Sequence, residues 1–166
     1  VGEKIFIGID PGTAITGYGV LFLKGKSLNP VDYGVIRPPS KEELPERYWL
    51  IYSALKELFE RHSPHTVAVE TQFMQKNAQS ALKLGMARAA VIIAAKSVGA
   101  EIVEITPTTA KKAVAGSGRA SKEGVQRMVQ TLLRLEKLPT PEDAADALAL
   151  AIAAVHRNKE KELMHV

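Results

Sequence analysis

Residues 4–37 read KIFIGIDPGTAITGYGVLFLKGKSLNPVDYGVIR. Three β-rich runs stand in this stretch, Lys4–Asp10, Thr16–Leu23 and Asp32–Arg37, each bounded by turn residues. Pro11-Gly12 ends the first run, because Pro lacks the amide hydrogen that continues a ladder and Gly tolerates a sharp turn. Strands this closely spaced leave no room for crossover helices, so they predict an antiparallel meander. Outward from the meander the period changes. Leu44, Tyr48, Ile51, Tyr52, Leu55, Leu58 and Phe59 recur at helical spacing and draw one apolar stripe. Thr66–Val69 (TVAV) is a compact buried-strand run that ends at Glu70, and an Ala-rich helix is predicted from about Asn77 to Val98. Glu101–Ile105 (EIVEI) reads as one more strand. Beyond it Thr106-Pro107 caps a short helix, Ser121 caps one ending near Leu135, and Thr140-Pro141 opens a last helix to about His156. The order β-β-β-α-β-α-β-α-α-α predicts an α/β fold, a mixed sheet with antiparallel N-terminal strands, later parallel strands and helices on both faces.

At 166 residues the chain is about one domain, given roughly 150 residues per domain. Residues 1–158 are expected to form it, with Lys159–Val166 as a flexible tail. The 46% hydrophobic and 24% charged composition is that of an ordinary globular protein, which rules out a disordered or fibrous chain. Cys is absent, so disulfide frameworks, thiolate metal sites and cysteine nucleophiles are excluded together. Val1–Lys4 opens no signal-like segment, and apolar runs such as Ala89–Ala95 are far short of the roughly 20 residues that span a bilayer. The expectation is a soluble, cytoplasmic protein with no membrane partner. The net charge of +4 is a weak lean toward polyanions, but its position strengthens it. Residues 76–138 carry 11 basic and 4 acidic side chains, while the flanking segments are slightly acidic.

Four acids carry the chemistry. Asp10 closes the first strand and Glu70 closes the TVAV strand, each placing a carboxylate at a strand's C-terminal edge. Either has an ordinary reading as well, Asp10 as a turn former before Pro-Gly and Glu70 as the partner of an Arg. Asp143 and Asp146, three apart in PEDAADALALAIAAV, project from one helical face. Asp143 alone reads equally as the N3 acid of a capping box with Thr140. Asp146 lies deeper, among Ala144, Ala145, Ala147 and Leu148, where a buried carboxylate needs a cation. Oxygen-only donors suit a hard divalent ion such as Mg²⁺. Two such ions, roughly 3.5 to 4 Å apart, support phosphodiester cleavage, and the basic middle segment would attract a polyanionic substrate.

These residues resemble a known family. GIDPGTAITGYGV at Gly8–Val20, VETQFMQKNAQSALKLG at Val69–Gly85 and DAADALALA at Asp143–Ala151 are similar to the three signature segments of RuvC Holliday-junction resolvases, in order, from about Ile5 to His156. The resemblance implies a ribonuclease H-like fold and a homodimer. It further implies binding of four-way junction DNA and paired symmetric nicks in recombination and repair, with two Mg²⁺ per active site, or Mn²⁺ in its place. The family's catalytic, metal-binding acids fall on Asp10, Glu70, Asp143 and Asp146, the third being Asp where some members carry His. The resemblance also makes Phe73 the aromatic that stacks on bases at the crossover, although a core position suits it too. Lys111 and Lys122, flanking the loop AGSGRA, match lysines used near the scissile phosphate; on charge alone they read as solvated lysines. Arg119 and Lys76 are further DNA-binding candidates, and the branch-migration complex is a possible partner by resemblance only.

Ala81, Gly85 and Ala89, at steps of four with Leu82, Met86 and Ile93 beside them, form a small-residue ridge where a symmetric partner helix could pack closely. Trp49, with Tyr48 and Tyr52, is expected to pack in the first helix. Two alternatives belong to other classes. A non-catalytic junction-binding module would need the basic segment but not four converging acids. DPGT also resembles the phosphate loop of actin-like nucleotide phosphotransferases, but that fold needs two lobes and a far longer chain. No GK[ST] sequence is present for a P-loop, and His62, His65, His156 and His165 match no ligand pattern.

Overall fold

A computed structural model of the chain describes residues 2–71 and 77–165. Strands β1 (Lys4–Asp10), β2 (Thr16–Lys24) and β3 (Ser27–Ile36) are followed by helix α1 (Leu44–His62) and strand β4 (Thr66–Glu70). Helix α2 (Ala78–Ser97), strand β5 (Glu101–Ile105) and helices α3 (Pro107–Ala115), α4 (Lys122–Leu133) and α5 (Glu142–Met164) complete the order. The sheet runs β3-β2-β1-β4-β5, with β1–β2 and β2–β3 antiparallel and β1–β4 and β4–β5 parallel. The expected mixed sheet is therefore present, and β1 lies at its centre.

Central position demands apolar side chains on both faces of β1, and the alternation in KIFIGID supplies them. Ile7 and Ile9 are fully buried against α1 and α2, together with Val67 and Val69 of β4. Phe6 and Ala68 point to the opposite face, into a core built with α3, α4 and α5. Glycine appears on that second face where α5 crosses. A Cβ on Gly8 would overlap the carbonyl oxygen of Ala147, and one on Gly17 would overlap that of Asp143. Only hydrogen at these two positions lets the helix backbone lie directly on the sheet, and every α5 residue from Ala147 to Val155 is buried as a result.

Two expectations change. The last helix does not end near His156 but continues to Met164, so the expected tail is helical through most of its length. Lys161 pairs with Glu101 and Glu162 with Lys4, each at 2.8 Å, which ties this last part of α5 to β5 and β1. The Thr140 capping box is absent: Pro141 is the N-cap of α5, with no side-chain cap, after a cis Thr140-Pro141 bond. Trp49 packs within α1 as expected, on its outer side. It is 60% exposed and stacks on Tyr52 with ring centroids 5.7 Å apart. Among the described residues, α2 alone is long and apolar enough to cross a membrane, by length and composition. Its Ala87, Ala90, Val91, Ala94 and Ala95, however, form part of the core.

Candidate active site

Strand parity places the first two acids. Asp10 shares the face of Phe6 and Gly8, and Glu70 shares the face of Thr66 and Ala68, because side chains alternate along a strand. The parallel register pairs Ile9 with Val69, so Asp10 and Glu70 are the next residues of adjacent strands on the face that α5 covers. Helix α5 starts beside them. Its first turns bring Asp143 and Asp146 to the same cleft, of about 560 Å³, which all four acids line. The turn after Asp10 is clamped by buried Thr16, whose hydroxyl donates to the Gly12 carbonyl at 2.8 Å and accepts from the Gly12 amide at 3.2 Å.

The four carboxylates are half-buried, Asp146 included, since one side of each opens on the cleft. Burial pushes the Asp10 carboxyl up to about 9, aided by the charge of Glu70, a side-chain hydrogen bond with Glu70, and the charges of Asp146 and Asp143. Burial and Glu70 likewise push Asp146 up to about 6, with Lys122 opposing them. Crowded carboxylates of this kind are stabilised by a shared proton or by a cation. The donor set fits a hard divalent ion: all oxygen, with a cleft open for water and phosphate oxygens. Among the described residues, no three acidic or His side chains are already gathered in ligand geometry, so the acids form an open cluster rather than a closed cage.

The cations divide. Lys111 of α3 and Lys122 of α4 both line the cleft. The Lys122 ammonium lies 3.4 Å from Glu142, whose hydrogen bond and charge, with the charges of Asp146 and Asp143, raise its pKa and keep it charged. Arg119 does not join them; it is exposed in the loop after α3, and its backbone amide donates to the Ser117 hydroxyl at 3.2 Å. Phe73 and Lys76 lie outside the described residues.

Sequence reasoning missed Glu142, the partner of Lys122, and Arg88. Arg88 Nε donates to the main-chain carbonyl of Glu70 at 3.1 Å and its Nη2 to the Glu104 carboxylate at 2.8 Å. A signal existed, for Arg88 is the sole charge between Leu84 and Ala95. A lone cation in an apolar helix asks for a partner.

The strand order, the mixed pairing and the helices on both faces put the chain in the ribonuclease H-like class. The family model "Crossover junction endodeoxyribonuclease RuvC" matches residues 6–154. The chain thus belongs to the RuvC family of crossover junction endodeoxyribonucleases. The RuvC of Protochlamydia amoebophila is 59% identical over 150 residues, covering 90% of this chain and 89% of that one. The RuvC of Moorella thermoacetica is 47% identical over 163 residues, covering 96% and 98%. Among solved structures, "T. thermophilus RuvC in complex with Holliday junction substrate" superposes with a TM-score of 0.89 at 34% identity, covering 95% of this chain and 96% of that one.

Proposed function

We propose that this chain resolves four-way DNA junctions in homologous recombination and repair, acting as a homodimer that makes paired symmetric nicks with the help of Mg²⁺. The observation that carries this reading is the convergence of Asp10, Glu70, Asp143 and Asp146 on one cleft flanked by Lys111 and Lys122. The four acids would hold two Mg²⁺, or Mn²⁺ in their place. When bound, such ions supply activation of the attacking water and stabilisation of the departing 3′-oxygen. Lys111 and Lys122 contact the phosphates on either side of the scissile bond. Lys122, held by Glu142 at 3.4 Å, exchanges that carboxylate for a phosphate oxygen when DNA enters. Phe73 stacks on a base at the crossover, and Lys76 and Arg119 add backbone contacts farther out. These contacts position the junction, and the acids cut it.

The outer face of α2 supports the homodimer. Leu82, Met86 and Ile93 are 68%, 56% and 59% exposed, and Ala81, Gly85 and Ala89 beside them let a second helix approach closely. A two-fold dimer matches a substrate with two strands to cut. The setting is the cytoplasm, and the branch-migration complex of recombination is a further partner.

The test compares a synthetic mobile-core four-way junction with a linear duplex, with and without Mg²⁺. Symmetric nicks in the junction and not in the duplex, appearing only when the divalent ion is added, are expected. Binding without cleavage in either Mg²⁺ or Mn²⁺ would overturn the catalytic reading, and equal cutting of the duplex would overturn junction selectivity.

A further inference from the structure

Helix α2 has two different halves. None of residues 78–86 is buried, while Ala87, Ala90, Val91, Ala94 and Ala95 pack into the core. The first nine residues, about 13 Å of helix at 1.5 Å per residue, therefore lie at the surface of the molecule. Arg88 stands at the junction of the two halves. From there its guanidinium reaches two strands, donating to the Glu70 carbonyl at 3.1 Å and to Glu104 of β5 at 2.8 Å. The Arg88 side chain is 24% exposed, and its bond to the Glu70 carbonyl is partly sheltered from water, whereas the bond to Glu104 is exposed.

We infer that Arg88 is a positioning residue for the Glu70 carboxylate: it pins the last backbone carbonyl of β4 to α2 and β5 and so fixes the point from which the Glu70 side chain reaches into the cleft. The inference rests on the proposed role of Glu70 as a metal ligand. The physical need is specific to this strand end. Glu70 is the last residue of β4, and the next described helix is α2, whose exposed first half is the part on which DNA and a partner subunit would act. A planar guanidinium can satisfy a carboxylate and a carbonyl at once from a rigid fork, which the single ammonium of Lys cannot reproduce in the same geometry. Residues that hold a ligand from behind typically change metal affinity by about 10- to 100-fold when removed.

The experiment titrates Mn²⁺ into the DNA-free protein by calorimetry, alongside melting temperatures, for wild type, Arg88→Lys, Arg88→Ala, Glu104→Gln and Asp10→Asn. Arg88→Lys keeps the ion pair to Glu104 and should melt near wild type, yet bind Mn²⁺ about 10-fold more weakly. Arg88→Ala should lose at least as much, and Glu104→Gln should stay near wild type because the bond to the Glu70 carbonyl survives. Wild-type affinity in both Arg88 variants, with Asp10→Asn impaired, would overturn the positioning role and leave the four-acid site standing. Arg88→Lys matching wild type while Arg88→Ala loses affinity would assign the effect to the ion pair and overturn it as well. A wild-type chain that takes up no Mn²⁺ would overturn both readings.

Discussion

Asp10 is the residue under the greatest electrostatic load. Its carboxyl moves from 3.8 to about 9 on folding, so between those values the folded state binds more protons than the unfolded one. Metal-free stability must then fall as pH rises through that window. Asp10→Asn removes the titration and should melt above wild type in EDTA at about pH 8, with the gap closing toward about pH 4. A melting-temperature series across pH checks this. On the proposed function, Asp10→Asn or Asp146→Asn should slow junction cleavage by ~10²-fold or more while junction affinity in a gel-shift assay changes little. Full cleavage by both variants would remove the acids from the chemistry. Phe73→Ala should bind the junction yet turn over poorly, and unchanged turnover in single-turnover kinetics would return Phe73 to a packing role.

Helix α5 delivers half of the carboxylates, and what lets it do so is missing mass on the sheet beneath it. Gly8 and Gly17 leave no room for a Cβ between sheet and helix backbone. Gly8→Ala should therefore destabilise the fold by about 3 kcal/mol, read from denaturant unfolding, because the obstacle is backbone that cannot rotate away. Gly17→Ala meets the Asp143 carbonyl and should also lower cleavage by displacing the first turn of α5. The helices on the far face need no such accommodation. Val67 and Val69 present ordinary branched side chains to α1 and α2, and the spacing there is set by side-chain packing.

At the scale of the whole molecule, two surfaces differ in character. One end of the sheet bears the acids with Lys111 and Lys122, while the outer side of α2 exposes large apolar side chains. On the proposed homodimer, this apolar helix face is what the second copy covers. Sedimentation at micromolar concentration should give a dimer for the wild type and a monomer for Met86→Glu or Ile93→Glu. Gly85→Ala separates fold from assembly. Its Cβ meets nothing within 4 Å in the protomer, so helix propensity should stabilise the isolated chain by about 1 kcal/mol, while the added methyl weakens the dimer.

What the sequence determined by itself is what short-range periodicity can encode. A period of two placed Asp10 and Glu70 at strand ends, a spacing of three put Asp143 and Asp146 on one helix face, and the absence of Cys left oxygen as the donor chemistry. The run NKEKEL after Arg157 is also rich in helix formers, a local signal that α5 continues. Other features depend on which elements become neighbours. Only the pairing of β1 with β4 sets Asp10 beside Glu70. Only the packing of α3 and α4 brings Lys111 and Lys122 into the cleft while Arg119 stays outside it. The reach of Arg88 to Glu70 and Glu104 spans three elements, and no local pattern in any one of them names the other two. Contacts between distant residues follow from how the buried faces fit together, and that fit is a property of the folded chain as a whole.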